Sequence, residues 1–161
     1  MNIKYPHVIK VHYLTIAGKY ITPNATQGRS QSVTTGPLTA STVSDPILTP
    51  NHRELALNFT VQSGSPSADI YLDVLDPVEP QNRNVVSSDN IPMASIKLNP
   101  THISGAPTTL RVVISNGVAT AWLDSAATTL GNLNVPMRWQ VRFGLGTASQ
   151  LSVIATFEAR E

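Results

Sequence analysis

Cysteine is absent from the 161-residue sequence, and charged residues are scarce. Without cysteine the protein has no disulfide bonds, no thiolate metal sites and no cysteine nucleophile. Charged side chains make up 13% of the residues and give a formal net charge of +1, whereas about 25% is usual for a soluble domain. A protein that grips a polyphosphate needs a basic surface. We therefore expect no nucleic-acid partner.

Long apolar runs are absent as well. A transmembrane helix needs about 20 consecutive apolar residues, and no run of the sequence approaches this length. Lys4, His7, Lys10 and His12 interrupt the region in which a signal peptide would be apolar. We expect a soluble protein with no membrane partner and no export signal.

The C-terminal residues 137–161 alternate between apolar and polar side chains. A period of two places the two sets on opposite faces of a β-strand. The apolar set consists of Met137, Trp139, Val141 and Phe143, and then of Leu151, Val153, Ala155 and Phe157. The small-residue segment 144–146 between the two runs predicts a β-hairpin. Its apolar face requires a second layer to pack against.

The same alternation recurs through residues 53–136. The predicted strands lie near residues 55–61, 70–74, 94–98, 110–114 and 118–122. Asn116-Gly117 predicts a type I′ turn between the last two, while the small, polar residues 125–134 are interpreted as a loop. The total of seven or eight short strands without a helix predicts an all-β fold, an antiparallel β-sandwich or jelly roll, over residues 53–161.

Residues 1–52 have a different character. A strand is predicted near residues 7–16, and more than half of residues 22–50 are Ser, Thr, Gly or Pro. Such a segment is either a flexible linker or an extended arm that lies on a neighbouring subunit. We favour the arm, because long structureless loops are uncommon in compact domains. The candidate interaction residues of the arm are Ile9, Val11, Tyr13, Leu38, Val43, Ile47 and Leu48.

The sequence contains no catalytic or cofactor motif. The four histidines, at positions 7, 12, 52 and 102, lack metal-ligand spacing. Five carboxylates could gather around Ca²⁺: Asp69, Asp73 and Asp76 with Glu79 and Asp89. However, Asp69 and Asp73 occupy the polar face of a predicted strand, and the EF-hand spacing is absent. No G-x-S-x-G, P-loop or G-x-G-x-x-G motif occurs. We therefore predict no catalytic residues, no cofactor and no metal, and a protein that is not an enzyme.

The aromatic residues leave one alternative function open. Trp139 alternates with core residues and is interpreted as interior packing, whereas Tyr71 and Trp122 could form a surface on which a sugar ring stacks. The alternative is therefore a carbohydrate-binding or adhesion module.

Residues 53–161 resemble a class of small tailed-bacteriophage virion proteins. The resemblance is carried by "LALNFTVQSGSPSADIYLDVLDPV", by "TTLRVVIS" and by "VPMRWQVRFGLGTASQLSVIATFEA". The shared features are a Gly-Ser-Pro turn after the opening strand, Asp76-Pro77 after the second strand, and a proline-led strand that closes in a small-residue hairpin. Residues 1–52 are not covered.

The resemblance implies a structural part of a virus particle. The expected function is a head decoration protein that stabilises the capsid, located on the capsid surface of the virion and soluble in the host cytoplasm before assembly. Its expected partners are further copies of itself, as a homotrimer, and the major capsid protein. The arm of residues 1–52 would then reach neighbouring subunits, where multivalent contacts offset the cost of ordering it.

Overall fold

The computed structural model describes residues 37–63, 66–77 and 92–161, together with the backbone of residues 11–13, 15–16 and 19–20. These residues form thirteen β-strands, and every pairing among them is antiparallel. No helix long and apolar enough to cross a membrane occurs in these ranges. The predicted fold class is confirmed: the protein is an all-β antiparallel sandwich.

The strands form two main sheets and one separate pair. The first sheet contains, in spatial order, β1 (Val11–Tyr13), β13 (Ser152–Arg160), β6 (Glu54–Ser63), β9 (Thr108–Ser115), β10 (Val118–Leu123) and β11 (Ala126–Asn132). The second sheet contains β4 (Thr42–Val43), β12 (Arg138–Leu145), β7 (Ala68–Val74) and β8 (Ala94–Lys97), and β5 (Ile47–Leu48) also pairs with β12. The separate pair consists of β2 (Thr15–Ile16) and β3 (Lys19–Tyr20).

The core lies between the two sheets and consists of the inward side chains of each strand. Phe59 of the first sheet meets Phe143 of the second edge to face, with ring centroids 6.0 Å apart. Trp139 meets Phe157 in the same way at 5.3 Å, a geometry that aromatic pairs favour. Trp139 is fully buried, which confirms its predicted role in interior packing.

The predicted C-terminal hairpin is wrong. β12 pairs with β7 of the second sheet, and β13 pairs with β6 of the first. The chain therefore crosses from one sheet to the other between residues 146 and 151. The alternation of side chains is nevertheless as predicted from Trp139 onward, because it depends only on which face is buried and not on which strand lies alongside. Met137, which was predicted to belong to the apolar set, is 54% exposed.

The turn at Asn116 and Gly117 is confirmed, whereas the loop predicted for residues 125–134 is wrong. Both turn residues have positive φ, 53° and 76°, and β9 pairs antiparallel with β10 across them. The supposed loop contains β11, an edge strand whose side chains are almost all exposed. An edge strand of this kind needs no apolar face, so its sequence carries no alternating signal.

The second half of the predicted arm lies on the sandwich of its own chain. Leu38 pairs with Leu151, and β4 and β5 lie along β12. Leu38 and Ile47 pack against the core. Residues 37–49 are therefore part of the second sheet and its edge rather than a separate extended segment.

Three arm residues belong to the N-terminal part of the chain. Val11 and Tyr13 lie on β1, which extends the first sheet beyond β13 in the same chain. Ile9 lies outside the described residues. The expected reach of the arm onto a neighbouring subunit stays a prediction.

Candidate functional site

A band of polar side chains covers the outer surface of the second sheet. Alternation along β7, β8 and β12 turns every second side chain away from the core, and the antiparallel register aligns these side chains in rows. We call this surface the polar face. It comprises Asp69, Tyr71, Asp73, Ser95, Lys97, Gln140 and Arg142.

Asp73 is the centre of the polar face. Its side chain is 0% exposed, and it accepts hydrogen bonds from the Nε and Nη2 groups of Arg142 at 3.0 and 3.2 Å. Gln140 Nε2 and Ser95 Oγ donate two further bonds, at 3.1 and 2.7 Å. Burial raises the pKa of Asp73, but these hydrogen bonds and the charge of Arg142 outweigh it and hold the pKa below its ordinary value. The carboxylate is therefore ionised and fixes the Arg142 guanidinium in place.

Gln140 leaves one polar atom of the face unsatisfied. Its Nε2 donates to Asp73, which orients the amide, but its Oε1 is buried without a hydrogen-bond partner among the described residues. A buried acceptor of this kind costs about 1–3 kcal/mol. A donor that reaches Oε1 would recover that free energy.

Tyr71, Lys97 and Arg142 form the accessible part of the polar face. The Arg142 guanidinium carbon lies 4.2 Å from the centroid of the Tyr71 ring, within the range of a cation–π contact. The side chains of Arg142 and Lys97 are 35% and 44% exposed. Asp73 is buried beneath Arg142, so the guanidinium presents a positive charge to solvent. Lys97 lies beside the Asp69 carboxylate, which is 25% exposed.

A second group of polar side chains lies at one end of the polar face. Ser67 Oγ is 3.0 Å from His102 Nε2, and His102 Nδ1 is 3.1 Å from Asp69 Oδ1. Asn99 Nδ2 and Lys97 Nζ also contact this oxygen, at 2.8 and 3.3 Å. We call the linked side chains of Ser67, His102 and Asp69 the Ser–His–Asp chain.

Backbone pairing assembles the Ser–His–Asp chain. Ala68 and Ile103 exchange two backbone hydrogen bonds, at 3.0 and 3.1 Å. In an antiparallel pair, the residue after one partner lies opposite the residue before the other. His102 is thereby placed beside Asp69.

Asp69 is poised as an anion. Burial raises its pKa, but hydrogen bonds from Asn99, His102 and Lys97 and the charge of Lys97 outweigh this effect, so that the pKa lies below the ordinary value. An ionised carboxylate can only accept hydrogen bonds, so His102 must carry its proton on Nδ1. Neutral His102 then presents the lone pair of Nε2 to the Ser67 hydroxyl.

The structure separates the two residues that the sequence suggested as one sugar-stacking surface. Tyr71 points outward from the second sheet, and Trp122 points outward from the first, where it lies opposite Arg111 on β9. The two rings therefore lie on opposite outer surfaces of the sandwich. Tyr71 belongs to the polar face, and Trp122 does not.

Little in the sequence indicated the remaining site residues. His102 was considered only as a metal ligand, and no function was predicted for Gln140 or Arg142. Asp69 and Asp73, considered for Ca²⁺, are bound to other protein groups. No cluster of three or more metal-binding side chains occurs in the part of the chain that the structure describes.

Comparison with known proteins finds similarity among solved structures. No protein-family model matches the sequence, and no curated protein matches it. Among solved structures, the chain is similar to the alginate lyase AlgAT5 from polysaccharide lyase family 7, with 12% identity and a TM-score of 0.33. The match covers 98% of this chain and 77% of the lyase chain. A similarity of this size assigns no substrate and no site residue to this chain.

The prediction that the protein is not an enzyme finds no support in the comparison, because the similar structure is that of a polysaccharide lyase. One observation behind the prediction also loses its weight. The absence of a G-x-S-x-G motif argued against a serine nucleophile with its base, yet Ser67 and His102 lie within hydrogen-bonding distance.

Proposed function

We propose that the polar face binds a carbohydrate, and specifically an acidic one. The observation that carries the proposal is the Tyr71 ring with the Arg142 guanidinium held against it by Asp73. An aromatic ring supplies an apolar surface for the face of a sugar. A fixed guanidinium next to it supplies donors that match a carboxylate in geometry as well as in charge.

The positions of the charges support an acidic ligand. The buried Asp73 engages only Nε and Nη2 of Arg142, so the Nη1 group takes no part in that pair. Lys97 stands opposite Tyr71 in the neighbouring strand and adds a second accessible cation. A sugar carboxylate between Lys97 and Arg142 would make charge-assisted hydrogen bonds. A sugar hydroxyl that donates to Gln140 Oε1 would satisfy the remaining buried acceptor.

Titration of the protein with an acidic polysaccharide and with a neutral one, by calorimetry, tests this proposal. We expect the acidic polymer alone to bind. The Tyr71→Leu and Lys97→Gln substitutions should each weaken binding about tenfold, which corresponds to about 1.4 kcal/mol.

Two substitutions on the opposite outer surface are matched controls. Trp122→Leu removes an outward aromatic residue of the first sheet, and Arg111→Gln removes an exposed cation there. Both should leave binding unchanged. Equal losses from both pairs of variants, or equal binding of the neutral polymer, would contradict the proposal.

We also propose that the protein is a component of a virion, as its resemblance to phage virion proteins implies. The observation that supports assembly is the exposure of three apolar residues at one edge of the second sheet, on β4, on β5 and just before β12. Val43, Leu48 and Met137 are 41%, 65% and 54% exposed. Two of them, Val43 and Leu48, were predicted to be contact residues of the arm. Burial of such residues against another copy or a capsid protein would stabilise an assembly.

The mass in solution, measured by light scattering after size exclusion, tests the assembly proposal. We expect the full-length chain to be an oligomer and the Val43→Lys, Leu48→Lys double variant to be a smaller species with an unchanged circular dichroism spectrum. As a control, Met93→Lys alters another exposed apolar residue near β8, at the other edge of the same sheet. A monomeric full-length protein that also fails to bind phage capsids would refute the proposal.

A further inference from the structure

We propose that Ser67 is a nucleophile for acyl transfer, with His102 as its general base and Asp69 as the group that orients the histidine. The class of substrate is a carboxylic ester. This activity differs from carbohydrate binding by the polar face: Ser67 and His102 lie outside that face, and Asp69 is the residue that the two sites share.

The hydrogen bonds specify the proton positions that such a nucleophile needs. Because Asp69 accepts from Nδ1 of His102, neutral His102 can only accept at Nε2, and the Ser67 hydroxyl must therefore donate to it. A serine that donates to a histidine oriented by a carboxylate is the arrangement that activates a hydroxyl for attack. The same three residues placed with Ser67 as the acceptor would not do so.

The backbone of the nucleophile is held in place. The Ser67 N–H donates to Ser149 Oγ at 2.9 Å, and the Ser67 carbonyl accepts from the Gly146 N–H at 2.8 Å. A Cβ atom on Gly146 would lie 2.6 Å from Ser67 Oγ, so only glycine at this position leaves the hydroxyl where it is. The reactive atom is thus positioned by the chain crossing between β12 and β13.

The proposed reaction proceeds in two steps. Ser67 Oγ forms a bond to the carbonyl carbon of the ester while His102 Nε2 takes the hydroxyl proton. The tetrahedral intermediate then expels the alkoxide, which leaves as an alcohol with that proton. Water attacks the acyl-serine in the second step and gives a proton to His102. Ser67 Oγ takes the proton up as the carboxylic acid leaves.

The surroundings of Ser67 predict a slow reaction. The two backbone N–H groups beside the nucleophile, those of Ser67 and Gly146, are already engaged. These two groups therefore supply no oxyanion hole. Loss of one oxyanion-hole donor typically lowers kcat by about 10²–10³-fold. We accordingly expect turnover of activated esters such as p-nitrophenyl acetate, and slow turnover of ordinary esters.

Labelling of the full-length protein with a fluorophosphonate probe tests the proposal. Ser67 Oγ bonds to phosphorus, fluoride leaves, and the hydroxyl proton passes to His102, so the product is a stable adduct that peptide mass spectrometry can locate. We expect the adduct on Ser67 and none in Ser67→Ala. As a control, Ser115→Ala on the first sheet removes a serine that donates to the Glu54 carboxylate without a histidine, and it should label at the wild-type rate.

A second pair of measurements separates activation of the serine from its mere accessibility. His102→Ala should label at least about 100-fold more slowly, in line with the loss of a general base. Because His102 is half-exposed, added imidazole should restore part of the rate, which a purely structural role would not allow. Labelling of Ser67 at the same rate in His102→Ala, or of other serines only, would overturn the proposal. Neither result depends on whether the polar face binds a carbohydrate.

Discussion

Replacement of Arg142 by methionine should destabilise the fold, and the loss of stability should be larger at pH 7 than at pH 4. The substitution keeps an unbranched side chain of similar length but removes both hydrogen bonds to Asp73. Asp73 is 0% exposed, so the carboxylate cannot be rehydrated where it lies. The buried charge is then supported by Gln140 and Ser95 alone.

The expected loss follows from these contacts. Removing one partner of a buried ion pair costs about 3–5 kcal/mol. Arg142 is 35% exposed, and two donors to Asp73 remain, so solvent screening reduces the figure to about 2–3 kcal/mol. With a urea slope of about 2 kcal/mol per molar, the midpoint of unfolding should fall by roughly 1–1.5 M.

The pH dependence gives a second, independent measurement. In the wild type the pKa of Asp73 is lowered, so its stabilising contribution is present above the ordinary pKa and is lost as the pH falls through the folded value. Without Arg142, burial dominates and the pKa of Asp73 rises above its ordinary value. Protonation of Asp73 then removes the unpaired buried charge as the pH falls, and this offsets part of the destabilisation caused by the substitution. The difference in the free energy of unfolding between the two proteins should therefore shrink from pH 7 towards about pH 4.

The matched control is Arg111→Met on the other outer surface, where an exposed arginine donates to the neutral Asn58 amide oxygen at 2.9 Å. This change should cost less than about 0.5 kcal/mol at any pH. If Arg142→Met costs no more than Arg111→Met, or if its cost does not vary between pH 7 and pH 4, our account of Asp73 as a buried anion is refuted.

Two further substitutions probe the core and a turn by urea denaturation. Thr49→Val should lower the free energy of unfolding by about 2–3 kcal/mol, because the buried hydroxyl accepts from Trp139 Nε1 at 3.0 Å and donates to the Pro136 carbonyl at 2.7 Å. Gly117→Ala should lower it by about 1–2 kcal/mol, since the residue has a φ of 76° next to Asn116 and L-residues avoid that region. If the urea midpoint is unchanged in Thr49→Val, the Trp139 indole has found another acceptor. If it is unchanged in Gly117→Ala, the turn has relaxed to accommodate the alanine.

The sequence determined the local features of this protein. Alternation along residues 139–143 and 153–157 identified which side chains point into the core, because a strand with one face in a core must place apolar residues at every second position. The Asn116-Gly117 pair specified its turn, because few residue pairs tolerate positive φ at both positions. These signals are carried within a few residues, and no knowledge of the partner strand is needed to interpret them.

Only the tertiary structure decided which strands pair. The runs on either side of residues 144–150 look like a hairpin, since two adjacent alternating runs with a small-residue connection satisfy the local rules equally well whether they pair or separate. They separate into different sheets because β12 pairs with β7 and β13 pairs with β6, two strands that are distant in the sequence. The same long-range pairing places β4 and β5 on β12, where the sequence suggested an arm.

The candidate sites depend on tertiary structure even more strongly. Ser67 and His102 are far apart in the chain, and they meet only because Ala68 pairs with Ile103. Asp73 lies on the polar side of its strand, which the sequence places in solvent, yet its neighbours bury it completely. A residue type and its strand face can be predicted from the local sequence. The burial, the hydrogen-bond partners and the ionisation of a side chain depend on which distant residues lie beside it. These neighbours are determined only when the whole chain folds.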